Sequence, residues 1–148
     1  MSQVTLHERG DTEEVELGRK FEPAFDRNGL IPCLAVDHQS GEILMMAWMN
    51  RPALEQTLET GLATYYSRSR DRIWVKGESS GRQQIVQEIW VDCDQDVLQL
   101  RVRMEKEGAC HQGYRSCFYR KIASIEKGEL EFQKEEPLFD PKKVYRTS

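Results

Sequence analysis

The apolar residues of this chain come only in short runs, and this limits what it can fold into more than any other feature. The longest, ILMMAWM, spans residues 43–49. Leu98, Leu100, Val102 and Met104 alternate with Gln99, Arg101 and Arg103, the two-residue period of a strand with one buried face. LIPCLAVD and EILMMAWM flank the turn sequence HQSG, which predicts a β-hairpin. NRPALEQTLETG follows, with Asn50 to cap a helix, Pro52 in its first turn and Gly61 to close it. Leu54, Leu58 and Leu62 then share one stripe, and a helix over about 51–60 is predicted. LATYYS reads as a further strand, Ile73–Val75 as a short one, and QIVQEIWVD as one whose odd positions, Ile85, Ile89, Val91 and Cys93, share a face. CFYRKIASI and LEFQ complete the strand set. The fold expected is α+β, a mainly antiparallel sheet or roll with one helix between hairpins.

A chain of 148 residues suits one domain. Residues 1–20 read as a loose polar arm, 21–133 as the domain and 134–148 as a polar tail. With 39% hydrophobic and 31% charged residues the core is modest, so burial in an oligomer would help. The net charge of −4 argues against a general nucleic-acid binder. The first twenty residues lack a basic start followed by an apolar stretch, and no apolar run could cross a bilayer. A soluble cytoplasmic protein, with no membrane partner, is expected.

Near the junction between the strands read in QIVQEIWVD and VLQLRVRM stands VDCDQD. Asp92, Asp94 and Asp96 occupy alternate positions, where an extended segment would project them to one side and add their charges. A hard divalent cation held through oxygen, Mg²⁺ above all, would relieve that repulsion. A solvated acidic turn is the competing reading. An EF-hand is excluded, because Val97 and Arg103 stand where that loop needs glycine and a bidentate glutamate.

The four cysteines, Cys33, Cys93, Cys110 and Cys117, are expected to be reduced, since nothing points to an oxidising compartment. Cys110 and Cys117 flank CHQGYRSC, which includes His111, and Cys93 adds a third thiol. Three thiolates suit Zn²⁺ with a fourth position left for water; buried inert thiols fit the spacing as well. If residues 92–96 are extended, Cys93 faces away from the aspartates and a soft and a hard site follow separately; a bend at Gln95 would weaken that inference. A third constellation, SRSRDRIWVKGESSGR, combines arginines, serines and glycines that could grip phosphate, or form a solvated loop. Arg68, Arg70 and Lys76 are its candidate substrate contacts.

Taken in order, AWMN, ALEQTLETGLATYYSRSRDRIWVKGESSGRQQ, DCDQD and GACHQGYRSCFYR closely resemble the phosphoribosyl-AMP cyclohydrolase family of histidine biosynthesis, over roughly residues 28–121. The resemblance implies Zn²⁺ on Cys93, Cys110 and Cys117, and Mg²⁺ on Asp92, Asp94 and Asp96. It implies an intertwined homodimer with zinc at the interface, Cys93 coming from one chain and the other two cysteines from its partner. The implied activity is hydrolysis of the N1–C6 bond of 1-(5-phosphoribosyl)-AMP, the third step of histidine biosynthesis, giving a phosphoribosyl-formimino imidazole carboxamide ribotide. His111, beside a zinc ligand, is the candidate proton carrier. Gln112 departs from the family pattern, which has CHTG where this chain has CHQG. At 148 residues the chain is too short for the pyrophosphohydrolase domain that some relatives carry, so only the cyclohydrolase step is implied.

Overall fold

The HQSG turn closes as a hairpin between strands β1 (Leu30–Asp37) and β2 (Ile43–Asn50) in the computed structural model, which describes residues 6–145. The Asp37 carboxylate accepts the Gln39 and Ser40 N–H groups at 3.1 and 2.8 Å and sets the turn. The Ser40 bond is the main reason that the Asp37 pKa lies below its ordinary value. Helix α2 (Arg51–Thr60) follows directly. Asn50 Oδ1 accepts the Ala53 N–H at 2.9 Å, and Gly61 ends the helix with a left-handed backbone, φ 76°. Ala53, Leu54 and Thr57 are buried beneath it, while Leu62, expected on its stripe, lies past its end.

The remaining sheet strands are β3 (Thr64–Ser67), β4 (Arg72–Val75), β5 (Ile85–Val91) and β6 (Leu98–Arg103). They form one sheet in the order β4-β3-β2-β1-β6-β5. Every neighbouring pair is antiparallel except β1 and β6, which run parallel from Cys33 opposite Leu98. That ladder starts one residue after Pro32, which has no N–H to give. The architecture is α+β, with a mixed, mostly antiparallel sheet. Ile31, Cys33 and Ala35 of β1 meet Leu98, Leu100 and Val102 of β6, with Met49, Leu54 and Tyr65, in one core. Burial raises the Cys33 thiol pKa far above its usual value, as suits an inert packing residue.

Strand β5 departs from the alternation read in QIVQEIWVD. Its register shifts between Val86 and Glu88, so Val86 rather than Ile85 packs on the core before the shift and Ile89, as read, after it; Val91, read on the same face as Ile89, is exposed. A bulge puts an extra residue on one strand and reverses the faces beyond it. Strands β7 (Arg120–Ser124) and β8 (Glu129–Phe132) form a separate hairpin. Ile122, Leu130 and Phe132 on it are more than half exposed.

Within the described residues, short helices stand in the segments expected as loose arm and tail, whose residues 1–5 and 146–148 lie outside the described residues. Helix α1 (Thr12–Leu17) is capped by Asp11 and buries Val15. Helix α3 (Pro141–Val144) is capped by Asp140. No helix among the described residues is long and apolar enough to cross a membrane.

Candidate active site

Residues 92–96 are not extended. Gln95 adopts a left-handed backbone, φ 58°, and its N–H donates to the Asp92 carbonyl at 3.1 Å. This turn, rather than strand alternation, brings carboxylate oxygens of Asp92, Asp94 and Asp96 within 4.8 Å of one another. Asp92 Oδ1 accepts the Asp96 and Val97 N–H groups at 2.9 and 3.1 Å. Burial opposes the Asp92 charge, yet the Asp96 side chain and these N–H groups hold its pKa below the ordinary value. Asp96 is pushed up to about 6, first by its hydrogen bond to Asp92 and then by that to Asp94. Three converging, hydrated carboxylates fit a hard divalent cation bound through oxygen.

What holds the turn is the buried Gln95 side chain, which sequence reasoning treated only as a possible bend. Its Oε1 accepts the Glu22 N–H at 2.7 Å, and its Nε2 donates to the Val15 and Lys20 carbonyls at 2.9 and 3.2 Å. Arg9 Nη1 donates to the carbonyls of Glu22 and Asp94, each at 2.9 Å.

Cys110 and Cys117 lie together on the loop between β6 and β7. The Cys117 N–H donates to the Leu44 carbonyl at 2.7 Å and Ser116 Oγ to that of Ile43 at 2.7 Å, which pins the loop to β2. Cys117 faces a cleft, but its thiol sits among enough protein that burial, and then Cys110, push its pKa up to about 11. Beside the two thiols is Lys76, itself buried, whose Nζ donates to the Ala109 carbonyl at 2.7 Å. Burial lowers the Lys76 pKa against the pull of Cys117 and Cys110. A cation so placed favours thiolates. Cys93 stands apart: exposed at the aspartate turn, it borders a second groove with Val15, Leu58 and Ile89. Among the described residues, no group of three thiols forms within one chain. Two adjacent thiols fit part of a zinc site.

Cys117 and His111 open onto a cleft of about 480 Å³. Trp48 and Tyr66, paired across β2 and β3, line it together with Trp74. Ser67, Ser69, Arg70, Ser79 and Ser80 of the basic stretch border the same space. Lys76 borders it too, its ammonium donating to the Ala109 carbonyl, whereas Arg68 lies over the Trp48 ring, 5.0 Å from its centroid. Trp74 serves both packing and cleft, since it also contacts Tyr65 with ring centroids 5.4 Å apart. Trp48, Tyr66 and Tyr145 went unassigned from sequence. Register across the hairpins would have placed the first two on one face, whereas nothing local marks Tyr145.

A family model for phosphoribosyl-AMP cyclohydrolase matches residues 45–119. The phosphoribosyl-AMP cyclohydrolase of Nitrobacter winogradskyi is 52% identical over 141 residues, covering 91% of this chain and 94% of that protein. Those of Desulforapulum autotrophicum and Methanococcoides burtonii are 52% and 54% identical, covering 80% and 82% of this chain and 92% and 93% of their own lengths. With half the chain matched by the family model and relatives this similar over nearly their whole lengths, the chain belongs to the phosphoribosyl-AMP cyclohydrolase family, hydrolases of histidine biosynthesis.

Proposed function

We propose that the protein hydrolyses the N1–C6 bond of 1-(5-phosphoribosyl)-AMP in the cleft lined by Cys117 and His111, as a zinc- and magnesium-dependent homodimer. The observation that carries this reading is that Cys117, which is paired with the buried Cys110, borders one cleft with a histidine and a serine- and arginine-rich loop. A substrate with two ribose phosphates needs cationic and hydroxyl contacts, and Arg70 with Ser67, Ser69, Ser79 and Ser80 offers them. The aromatic walls suit a purine. Arg68 holds Trp48, and Lys76 holds the loop that carries Cys110.

Zn²⁺ held by Cys110 and Cys117, with Cys93 of the partner subunit, supplies Lewis acidity toward water when bound. Ribosylation at N1 makes C6 of the adenine electrophilic. Water adds to C6, the N1–C6 bond breaks, N1 takes up a proton, and the exocyclic nitrogen is retained as a carboxamide. His111 carries the proton between water and N1. Asp92, Asp94 and Asp96 hold Mg²⁺. A second copy of the chain is favoured by the placement of Cys93 and by the exposed apolar residues of β7 and β8. A nucleobase deaminase would use similar groups but release ammonia.

The test follows ring opening by absorbance on metal-stripped protein, with Zn²⁺ and Mg²⁺ returned separately and together. Zinc-dependent turnover without ammonia is expected. No turnover under any metal condition by correctly folded protein contradicts the proposal.

A further inference from the structure

The segment after β8 reads as a featureless polar tail and lies beyond the residues matched by the family model. In the structure it is fixed to the loop that carries Cys110 and His111. The Leu138 N–H donates to the Gly113 carbonyl at 2.7 Å. The Phe139 ring lies against Gly108, where an added Cβ would come within 2.7 Å of it, and a Cβ at Gly113 would overlap the Phe139 carbonyl oxygen. Both glycines also have positive φ, 120° and 93°, so the loop is shaped for this contact. On its other side Phe139 meets the Arg82 guanidinium, 3.8 Å from the ring centroid, and Arg82 Nε donates to the Glu107 carbonyl at 3.1 Å.

From that anchor the chain turns back toward the cleft. Asp140 Oδ1 accepts the Lys142 N–H at 2.9 Å, Pro141 begins the short helix α3, and the Tyr145 N–H donates to the Pro141 carbonyl at 2.9 Å. Tyr145 thereby lines the cleft that Trp74, His111 and Cys117 also line.

We propose that residues 137–145 form a strap anchored by Phe139, and that Tyr145 is a substrate-binding residue that packs its ring on the bound nucleotide. The inference rests on the cleft being the cyclohydrolase site. A tyrosine loses little rotamer freedom on contact and offers a broad apolar face with a polar tip, which suits a purine or ribose surface. Its contribution is to binding, since the proton-carrying and metal-holding groups all lie elsewhere.

Steady-state kinetics on the metal-loaded protein, with zinc content measured alongside, provide the test. Tyr145→Ala is expected to raise KM for phosphoribosyl-AMP about tenfold, the scale of a lost ring contact, with a smaller change in kcat and unaltered zinc content. Tyr145→Phe, which keeps the ring, recovers most of that loss. Phe139→Ala, which leaves Tyr145 in place but frees its anchor, raises KM in the same direction. Unchanged KM in Tyr145→Ala, while the unmodified protein turns over, overturns the strap alone. A fall in kcat or zinc content in place of the KM effect also overturns it, because the residue is then structural. Absence of turnover in the unmodified protein overturns the cyclohydrolase reading, and the strap's substrate with it.

Discussion

Gln95 occupies a backbone region that glycine or asparagine normally fills, and its side-chain bonds to residues 15–22 compensate for the strain. Those bonds are what preorganise three mutually repelling carboxylates. Gln95→Gly keeps the backbone conformation and removes the clamp. It is expected to weaken Mn²⁺ binding, followed by electron paramagnetic resonance, by about tenfold, since one to two kcal/mol of lost hydrogen bonding reappears as ordering cost. An unchanged affinity would show that the turn is set by its own backbone. His111 is the other decisive residue. His111→Ala should lower kcat by about a hundredfold or more across neutral pH, as expected for loss of a proton carrier. Turnover near that of the unmodified protein would remove His111 from the chemistry. The aspartate cluster was legible from sequence because three carboxylates at alternate positions stand out. Gln95 was not, because its partners lie 73 to 80 residues away.

At the scale of elements, legibility followed local chemistry. Helix α2 stood where Asn50, Pro52 and Gly61 mark its ends, and β6 alternated as written. Strand β5 was misread at Ile85 and Val86 because the bulge that follows them is imposed by pairing with β6, and nothing in QIVQEIWVD marks it. Helix α1 is short and held by the Asp11 cap and by Val15 burial, features too small to stand out in a polar stretch. The β1–β2 turn supports a prediction about pH. The folded-state pKa of Asp37 lies below its ordinary value of 3.8, so its contribution to stability is complete above that value and is lost as the pH falls through the lower, folded pKa. Urea unfolding should show an advantage over Asp37→Asn at neutral pH that shrinks as the pH drops below 3.8. A difference independent of pH would assign the turn to the amide-accepting geometry alone.

The whole molecule places Cys93 at one groove and Cys117, with the buried Cys110 beside it, at a separate cleft, with apolar side chains of the β7–β8 hairpin exposed. Such an arrangement makes sense if two copies complete each other's sites, which is the central claim of the proposed function. A two-fold dimer exchanges the same surfaces in both directions, so each site would draw Cys93 from one copy and the pair from the other. Variants Cys93→Ser and Cys117→Ser should each be inactive alone. Unfolded and refolded together, the two should recover about a quarter of the unmodified activity, because random pairing makes half the dimers mixed and each mixed dimer has one intact site of two. Recovery of that size, with zinc regained in proportion, is the result predicted. A mixture as inactive as its parents, in dimers shown to have exchanged chains, would contradict a site shared between subunits.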